Sequence, residues 1–515
     1  MVGVIGGVAP ASICPMTRRS RSETEIFSIR SSYPDSCLVP RVASLSFLIP
    51  MDIFCRWDKL DRQINELRNP MGPEVQNVAL DPVLPEKVDV VVVGGGIVGL
   101  CTALHLSEKG LSVAVCEKGR IAGEQSSRNW GWVRVMRRDL RELRLSIESS
   151  KMWRQFDQML GGNTGYQQCG LLYMTSDEKT LDTYVSWLRR AKDLVGDALH
   201  TELVGTEQIT RLLPQSAVRF KGGLYTPTDG RAEPQQAAPA VAAALRARGV
   251  SVVAPCAVRG VETSAGAVSG VVTEWGEIKC KGVVIAGGAW SRLLCRSLGV
   301  ELPQLLAKGS VLRTTAVKDG PAIGASNKHF AFRKRADGGY TIASGFRTYA
   351  DLTPDAFRLF FKYIEALKSQ GSALRLSVGS RFFSELMRPS HWPLDKKSPF
   401  EDVRELDPSP VLQSTEYALR GFLEAFPQLR GIQVAQRWAG YMDVTPDAIP
   451  VISGVASHPG LYVSTGYSGH GFGIAPAAGR LMADIVCNDD PIVDARDFRL
   501  ERFSDGSPTI VDAGF

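Results

Sequence analysis

Gly94, Gly96 and Gly99 form a Gly-x-Gly-x-x-Gly pattern directly after an apolar, β-branched run, and Glu117 closes the next such run. The first glycine permits a tight turn, the second lets backbone approach a pyrophosphate, and the third lets a helix pack close to a strand. Free N–H groups at the start of that helix favour an anion. These residue types at this spacing predict a site for the ADP half of a dinucleotide.

Two strands and a helix must position these residues. The run 88–93 predicts a first strand, a helical pattern follows, and the run 111–115 predicts a second strand parallel to the first. Glu117, at the end of the second strand, can accept hydrogen bonds from ribose hydroxyls. This arrangement suits FAD or NAD and disfavours the 2′-phosphate of NADP.

A second glycine-rich turn lies near the other end of the chain. The sequence GHGFG, residues 469–473, precedes a run of small helix-forming residues, so it predicts another helix start that binds an anion or a carbonyl oxygen. His470 within it is a candidate for proton transfer, or for a simple ligand contact. Between the two turns, a meander of short strands ends in a buried strand and the pair Gly287 and Gly288, which favours an FAD-type fold over an NAD-only fold.

The composition of the 515 residues excludes several functional classes. Lys and Arg number 60 against 54 Asp and Glu, without a basic stripe, so a nucleic-acid partner is not expected. No apolar run reaches the roughly 18 residues of a membrane span. The ten cysteines are scattered without a Cys-x-x-Cys pair, which predicts a reducing compartment with neither a disulfide framework nor a metal site.

Residues 1–86 precede these motifs and are predicted to form a leader and linker that is disordered or extended. The first fifty residues are rich in Arg and Ser and poor in acids. Three interpretations remain open: an organelle transit segment, translation that begins at Met51, or a disordered tail. The protein is expected in the cytoplasm, or in an organelle lumen if the leader is a transit peptide.

Four segments occur in one order: the Gly-x-Gly-x-x-Gly unit, VVIAGGAWS, RWAGYMDVTPDAIPVI and GYSGHGFGIAPAAG. Together they resemble the D-amino acid oxidase family of FAD-dependent oxidoreductases, which includes glycine oxidase, sarcosine oxidase and D-amino acid dehydrogenases. The resemblance implies an α/β fold with a discontinuous FAD-binding Rossmann-like domain and an α+β substrate domain on a large antiparallel sheet. It implies FAD-binding segments at 87–134, 229–299 and 436–490, substrate segments at 135–228 and 300–435, and a C-terminal tail at 491–515.

The resemblance also implies how FAD is held. The bond would be non-covalent, because cysteine is absent from residues 296–486 and Asn-Trp-Gly occupies the N-terminal loop where some relatives carry a linking histidine. The residues implied to contact the cofactor are Gly94, Gly96, Ile97, Val98, Gly99, Glu117, Lys118, Ser126, Ser127, Arg128, Asn129, Val258, Gly287, Trp290, Gly440, Gly469, Gly471, Phe472 and Gly473.

The chain departs from the family at the substrate. Relatives similar to glycine oxidase carry Trp-x-Gly-x-Arg-Pro, whose arginine clamps the substrate carboxylate. Here the segment runs Trp438-Ala-Gly-Tyr-Met-Asp443, so the arginine is missing and an acid stands nearby. The alternatives for a carboxylate clamp are Arg128, Arg333 and Arg347.

Three residues are candidates for catalysis: His470, Tyr441 and Asp443. Asp443 would suit a cationic group of the substrate, or it makes turn contacts next to Thr445. Tyr441 is expected in the pocket wall, as are Trp132 and Tyr340.

The chemistry implied is oxidation of the C–N bond of an amino acid or related amine. A hydride leaves the α-carbon for the flavin, and water hydrolyses the imine to a carbonyl product. The acceptor would be oxygen, a quinone or another electron-transfer partner. Two alternatives remain open: a flavin-fold assembly or structural factor, and an FAD-dependent dehydrogenase of the 2-hydroxy-acid type.

Overall fold

Twenty-two strands build the sheets in the described part of the chain, which is residues 71–345, 347–371 and 373–512 of a computed structural model. The predicted leader therefore lies outside the described residues as far as residue 70. The strands are β1 Val90–Val93, β2 Val113–Cys116, β3 Trp132–Val133, β4 Gln167–Gln168, β5 Leu171–Thr175, β6 Glu202–Gly205, β7 Gly222–Thr226, β8 Gly230–Arg231, β9 Ser251–Val253, β10 Val258–Ser264, β11 Ala267–Thr273, β12 Gly276–Lys279, β13 Gly282–Ile285, β14 Leu305–Thr314, β15 Gly324–Ser326, β16 Ala331–Lys334, β17 Tyr340–Ala343, β18 Thr348–Asp351, β19 Leu374–Ser377, β20 Val434–Val444, β21 Val451–Gly454 and β22 Leu461–Thr465.

Thirteen α-helices accompany these strands in the same described ranges. They are α1 Ile97–Glu108, α2 Gln125–Arg128, α3 Leu140–Leu160, α4 Glu178–Val195, α5 Thr206–Leu212, α6 Pro234–Ala247, α7 Ser291–Ser297, α8 Pro354–Arg358, α9 Ile364–Gln370, α10 Ser380–Met387, α11 Pro399–Asp402, α12 Leu412–Ala425 and α13 Gly471–Cys487. None of these described helices has both the length and the apolar content that crossing a lipid bilayer requires.

The first large sheet carries the nucleotide motif. Its six strands run in the order β21-β22-β13-β1-β2-β9, and all neighbours are parallel except β21 and β22. Val91 and Val92 in the central strand β1 are fully buried, as expected for a parallel sheet covered on both faces. The strand-turn-helix-strand unit read from the glycine pattern is confirmed as β1, α1 and β2.

Helices α1 and α13 pack unusually close together against this sheet. A Cβ added at Gly479 in α13 would lie 2.5 Å from the carbonyl carbon of Cys101 in α1. Leu100, Leu481 and Ala478 fill the surrounding core and are fully buried. The small residues of the second glycine-rich segment therefore serve helix packing as well as the turn before it.

The second large sheet has ten strands, in the order β19-β18-β14-β17-β16-β15-β5-β7-β6, with β20 paired to β14. Most neighbours are antiparallel, which confirms the predicted substrate sheet, although β15 with β5 and β18 with β19 are parallel. The long pairing of β14 with β20 runs from Leu305 opposite Val444 to Thr314 opposite Val434. This ladder brings β20 beside the nucleotide sheet.

Three segments differ from the predicted domain boundaries. Strand β20 pairs with β14 in the substrate sheet. Most of this strand was expected in the FAD-binding segment 436–490. Helix α3 was expected in the substrate domain, but Trp153 and Phe156 are fully buried in the nucleotide-domain core. The predicted C-terminal tail at 491–515 packs on the fold where it is described, because Phe498 is buried and Arg502 pairs with Asp447 at 2.9 Å.

Replacing Gly479 by alanine is expected to lower the stability of the fold, because the new Cβ would meet the backbone of Cys101 at 2.5 Å. Overpacking of this kind costs about 1–3 kcal/mol. Gly431→Ala is the matched control, since a Cβ there meets no atom within 4 Å. Thermal unfolding should show a lowered midpoint for Gly479→Ala alone. Equal midpoints would contradict the close approach of α1 and α13.

Candidate active site

A cavity of about 1320 Å³ brings the two predicted glycine turns together. Its walls come from the carboxyl ends of the parallel sheet and from the ten-stranded sheet. All predicted cofactor and catalytic residues line it except Gly99 and Ser127. Gly99 lies behind the wall, where an added Cβ would be 2.2 Å from the carbonyl oxygen of Gly94. That contact is the close helix–strand packing expected of the third glycine.

Backbone geometry shapes the nucleotide end of the cavity. Gly94 has a φ of +118°, and an added Cβ would lie 2.5 Å from the Ala286 carbonyl oxygen, so glycine alone fits this turn. Glu117 accepts hydrogen bonds from the backbone N–H groups of Gly95 and Gly119, both at 2.7 Å. Burial raises the pKa of this carboxyl. Glu117 is therefore fixed at the end of β2, where the sequence analysis placed a ribose contact.

These walls fit FAD in shape and in chemistry. The cavity lining extends from Glu117 and Gly96 at one end to Gly469 and Gly473 at the other. A cradle that lacks Cβ atoms at the turn lets a pyrophosphate approach the start of α1. The volume exceeds the roughly 300–1,000 Å³ of common ligand pockets, so space remains for a substrate beside the cofactor.

His470 sits at the start of α13 and is buried. Its Nδ1 lies 3.0 Å from Glu142 Oε2. Burial raises the pKa of Glu142 to about 8. Burial, followed by the charges of Arg138 and Arg134, holds the pKa of His470 well below its usual range. Burial thus disfavours the charged form of both side chains in this contact.

Two buried arginines flank this turn and line the cavity, Arg134 and Arg138. Arg134 donates to the Met136 carbonyl oxygen at 2.8 Å. Arg138 Nη1 is buried and has no hydrogen-bond partner among the described residues. A Cβ added at Gly473 would lie 3.5 Å from Arg138 Nη2. A cationic group with an unused donor thus faces the start of α13.

The sequence analysis missed this cluster. Arg134, Arg138 and Glu142 lie in the run RVMRRDLRE, which is typical of a solvated face. Their burial arises from packing against α13, more than 300 residues away, as the separation of 328 residues between Glu142 and His470 shows. No local pattern could have identified it.

Asp443 is held by three hydrogen-bond donors of its own chain. Its Oδ2 accepts hydrogen bonds from Thr465 Oγ1 at 2.9 Å, from the Gly466 N–H at 2.7 Å and from Gln304 Nε2 at 3.1 Å. Burial raises the pKa of this carboxyl. The placement favours the turn contact over the cationic-substrate contact, since Oδ2 is already occupied by three donors.

The predicted pocket aromatics divide between the cavity and the core. Tyr441 lines the cavity and donates to Asp351 at 3.1 Å, with the Arg381 guanidinium 4.4 Å from its ring centre. Trp132 also lines the cavity. The expectation for Tyr340 was wrong, because this side chain is fully buried in the core beneath the substrate sheet and donates to the Pro321 carbonyl oxygen at 3.0 Å.

The three candidate clamps differ in their existing partners. Arg128 donates to Asp407 at 2.5 Å and to the Ala439 carbonyl oxygen at 3.1 Å. Arg333 forms a two-pronged ion pair with Glu233 at 2.8 and 2.9 Å. Arg347 lines the cavity with its guanidinium 4.1 Å from the ring centre of Tyr417. Of the three, Arg347 is the one whose position suits a ligand carboxylate.

Comparison with known proteins agrees with this geometry. Residues 89–485 match the sequence model of the family described as DAO, FAD dependent oxidoreductase. The chain is 26% identical to glycine oxidase of Pseudomonas putida, over 79% of this chain and 96% of that protein. It is 26% identical to sarcosine oxidase subunit beta of Arthrobacter, over 83% and 93%. The structure of L-amino acid deaminase from Proteus myxofaciens in complex with anthranilate is 32% identical, with a TM-score of 0.79, and the match covers 85% of this chain and 97% of that one.

The stability of the protein is expected to fall as pH rises from about 6.5 to 8, because burial raises the pKa of Glu142 to about 8 and that of Asp229 to about 7. These two carboxyls bind more protons in the folded state than in the unfolded one over this range, whereas the lowered pKa of His470 acts in the opposite direction only below its ordinary value of about 6.5. The stabilisation is therefore complete below the unfolded pKa values and is lost as pH rises through the folded ones.

Thermal unfolding across this pH range measures the effect. Glu142→Gln should flatten part of the profile, by several degrees in midpoint at its alkaline end. Glu178→Gln, at an exposed carboxyl, is the control and should leave the profile unchanged. A flat wild-type profile would contradict the protonated state of these buried carboxyls.

Proposed function

Since the chain belongs to the family of FAD-dependent oxidoreductases that its sequence matches, we propose that it oxidatively deaminates an L-α-amino acid. FAD is its cofactor, and the proposal includes non-covalent binding. The observation that carries the proposal is the similarity, over nearly the full length of that protein, to the L-amino acid deaminase of Proteus myxofaciens, at 32% identity and a TM-score of 0.79.

The reaction balances as a two-electron oxidation. FAD, when bound, supplies the acceptor for the hydride that leaves the substrate α-carbon. The substrate nitrogen loses a proton as its bond to carbon becomes double, and water then hydrolyses the imine to a 2-oxo acid and ammonia. The protein must orient the substrate, exclude water and stabilise negative charge.

Arg347 is the proposed clamp for the substrate carboxylate. It takes the place of the arginine that glycine oxidase relatives carry on the strand equivalent to β20, where this chain has Met442. A guanidinium can bind a carboxylate through two parallel hydrogen bonds. Its present position above Tyr417, at 4.1 Å, keeps the group at the cavity wall without a competing carboxylate in that contact.

The start of α13 is proposed to stabilise negative charge at the other side of the reacting centre. The backbone N–H groups of Gly471 and Gly473 belong to the first turn of that helix, where the helix dipole is positive. The Arg138 guanidinium adds a full positive charge that is buried nearby. His470 contacts Glu142 at 3.0 Å, and this contact holds the turn in place.

The electron acceptor is predicted from the sequence to be oxygen, a quinone or another electron-transfer partner. The predicted location is the cytoplasm, unless the leader is a transit peptide. The residue assignments within the cavity are likewise proposals.

Anaerobic addition of substrates tests the proposed function. L-α-amino acids should bleach the visible absorption band of the bound flavin, and each turnover should release one ammonia and one 2-oxo acid. The same amino acids of D configuration, N-methyl amino acids and 2-hydroxy acids form the comparison set. Bleaching by 2-hydroxy acids without ammonia, or by D-amino acids alone, would overturn the proposal.

Arg347→Lys is expected to raise KM for the amino acid by about 10- to 100-fold, because the two-pronged contact is reduced to one and charged hydrogen bonds are worth roughly 1.5–3 kcal/mol. The value of kcat should change much less. The matched control is Arg137→Lys, since Arg137 also lines the cavity beside a tyrosine ring, at 5.0 Å from Tyr184. A rise in KM for Arg137→Lys with none for Arg347→Lys would contradict the assignment of the clamp to Arg347.

A further inference from the structure

An irregular stretch of chain crosses the nucleotide end of the cavity. Residues 403–407 lie between α11 and α12 and belong to no helix or strand. We call this stretch the strap. It contacts residues 117–128, which follow β2, include α2 and carry several predicted cofactor contacts; we call these residues the nucleotide loop. The two segments are about 285 residues apart in the chain, as the separation of 285 residues between Arg120 and Glu405 shows.

The first end of the strap is anchored on the meander. Arg404 forms a two-pronged ion pair with Glu274, which lies between β11 and β12, at 2.5 and 2.6 Å. Arg404 Nη1 also donates to the Lys118 carbonyl oxygen at 2.8 Å. A Cβ added at Gly119 would lie 2.5 Å from the Arg404 carbonyl oxygen. The strap therefore lies directly against the backbone of the nucleotide loop.

Glu405 joins the middle of the strap to the same loop. Arg120 donates from Nε and Nη2 to the two carboxylate oxygens of Glu405, both at 2.7 Å. The Glu405 side chain lies against Gly123, where an added Cβ would be 2.7 Å from the carboxyl carbon. Glu405 also lines the cavity. This two-pronged contact fixes the orientation of the loop as well as its distance from the strap.

Asp407 joins the far end of the strap to a buried arginine. Its Oδ1 accepts from Arg128 at 2.5 Å, and its Oδ2 accepts from the Met71 N–H at 2.7 Å. The Arg128 side chain is buried and donates in addition to the Ala439 carbonyl oxygen in β20 at 3.1 Å. One guanidinium thus connects the strap, the nucleotide loop and the substrate sheet.

Backbone groups of the strap contact side chains expected at the cofactor. Lys118 Nζ donates to the Arg404 carbonyl oxygen at 2.6 Å. The Leu406 N–H donates to Glu124 Oε1 at 3.1 Å, and the same oxygen accepts from Trp290 Nε1 at 2.9 Å. Lys118 and Trp290 are both among the predicted FAD contacts. The strap is therefore bonded to the residues of the nucleotide site rather than only to its surroundings.

The strength of these contacts depends on their acting together. An isolated ion pair at a surface stabilises little, whereas two-pronged pairs within a network of several charges stabilise more. The carboxylates of Glu405 and Asp407 are 18% and 26% exposed, so solvent ions can reach them. Local opening of such a segment does not require the core to unfold. The strap has the properties of a closure over a bound ligand.

We propose that the strap is a clamp that retains FAD, and that Glu405 and Asp407 are positioning residues for the cofactor. They act through Arg120 and Arg128, which they hold in place, and so keep the nucleotide loop closed over the ADP half of FAD. Opening of the strap releases this loop and lets FAD leave. The clamp acts on cofactor retention and is independent of which substrate the protein oxidises.

Release of FAD from the full-length holoprotein tests the proposal. After dilution, flavin fluorescence rises as FAD leaves the protein, and its time course gives the dissociation rate. Glu405→Gln with Asp407→Asn preserves the shape of both side chains and removes their charges. This double variant should release FAD at least ten-fold faster than the wild type. Glu405→Gln alone should also speed release, and it leaves the buried contact of Arg128 intact.

Salt provides a second readout, which a purely structural role would not change. Added KCl should speed release from the wild type, because ions screen exposed charge pairs. It should have little further effect on the double variant, in which those pairs are already lost. Arg190→Gln is the matched control. Arg190 and Asp512 form a two-pronged pair at 2.7 and 2.9 Å, with side chains 47% and 17% exposed against 49% and 18% for Arg120 and Glu405. Arg190 lies in α4, so its loss should leave FAD release unchanged.

Three results would overturn the proposal. The double variant could release FAD at the wild-type rate. It could release FAD faster but keep the salt dependence of the wild type. Arg190→Gln could speed release as much as Glu405→Gln, which would indicate a general loosening of the fold. The assay measures flavin release rather than turnover, so its failure would leave the proposed reaction standing.

Discussion

The buried carboxylate of Asp443 joins the two sheets at the cavity, and the arrangement of the site depends on it. Its Oδ2 accepts hydrogen bonds from Thr465 and Gly466 at the end of β22, and from Gln304 just before β14. A buried carboxylate without donors would be strongly unfavourable. The three donors therefore fix the end of β20 against the turn that leads to α13, and this places Gly440 and Gly469 on one cavity.

Different physical interactions shape the two ends of that cavity. At the nucleotide end, the fit comes from absent side chains: a Cβ at Gly94 or Gly99 would meet backbone at 2.5 or 2.2 Å. At the other end, the fit comes from charge, because Arg138 is buried with an unused donor near Gly473. We propose that the first end recognises a phosphate-bearing ligand by close approach and that the second provides a positive potential for charge that develops during reaction.

The sequence predicted the parts of the fold whose causes are local. Gly94 indicates its turn, Gly99 the close packing of its helix, and Glu117 the end of its strand. His470 lies in the turn that was expected. The long-range features were not predictable in this way. Asp443 forms a hydrogen bond with Thr465, which lies 22 residues further along the chain, and Glu142 contacts His470, 328 residues further. Such pairings decide which charged residues are buried, and no pattern of neighbours contains that information. Helix α3 was misassigned for the same reason, since Trp153 is buried by packing on α13 rather than by its own amphipathic pattern.

The exposed phenylalanines show the opposite, because the fold leaves an apolar residue type in contact with water. Trp153, Trp438 and Phe332 are almost completely buried. Phe361, in contrast, is 82% exposed. Natural sequences tend to agree with their folds at every level, and departures concentrate where function requires them. Helix α10 makes the departure informative, because one helix carries both exposed Met387 and the arginine that contacts Tyr441 in the cavity wall.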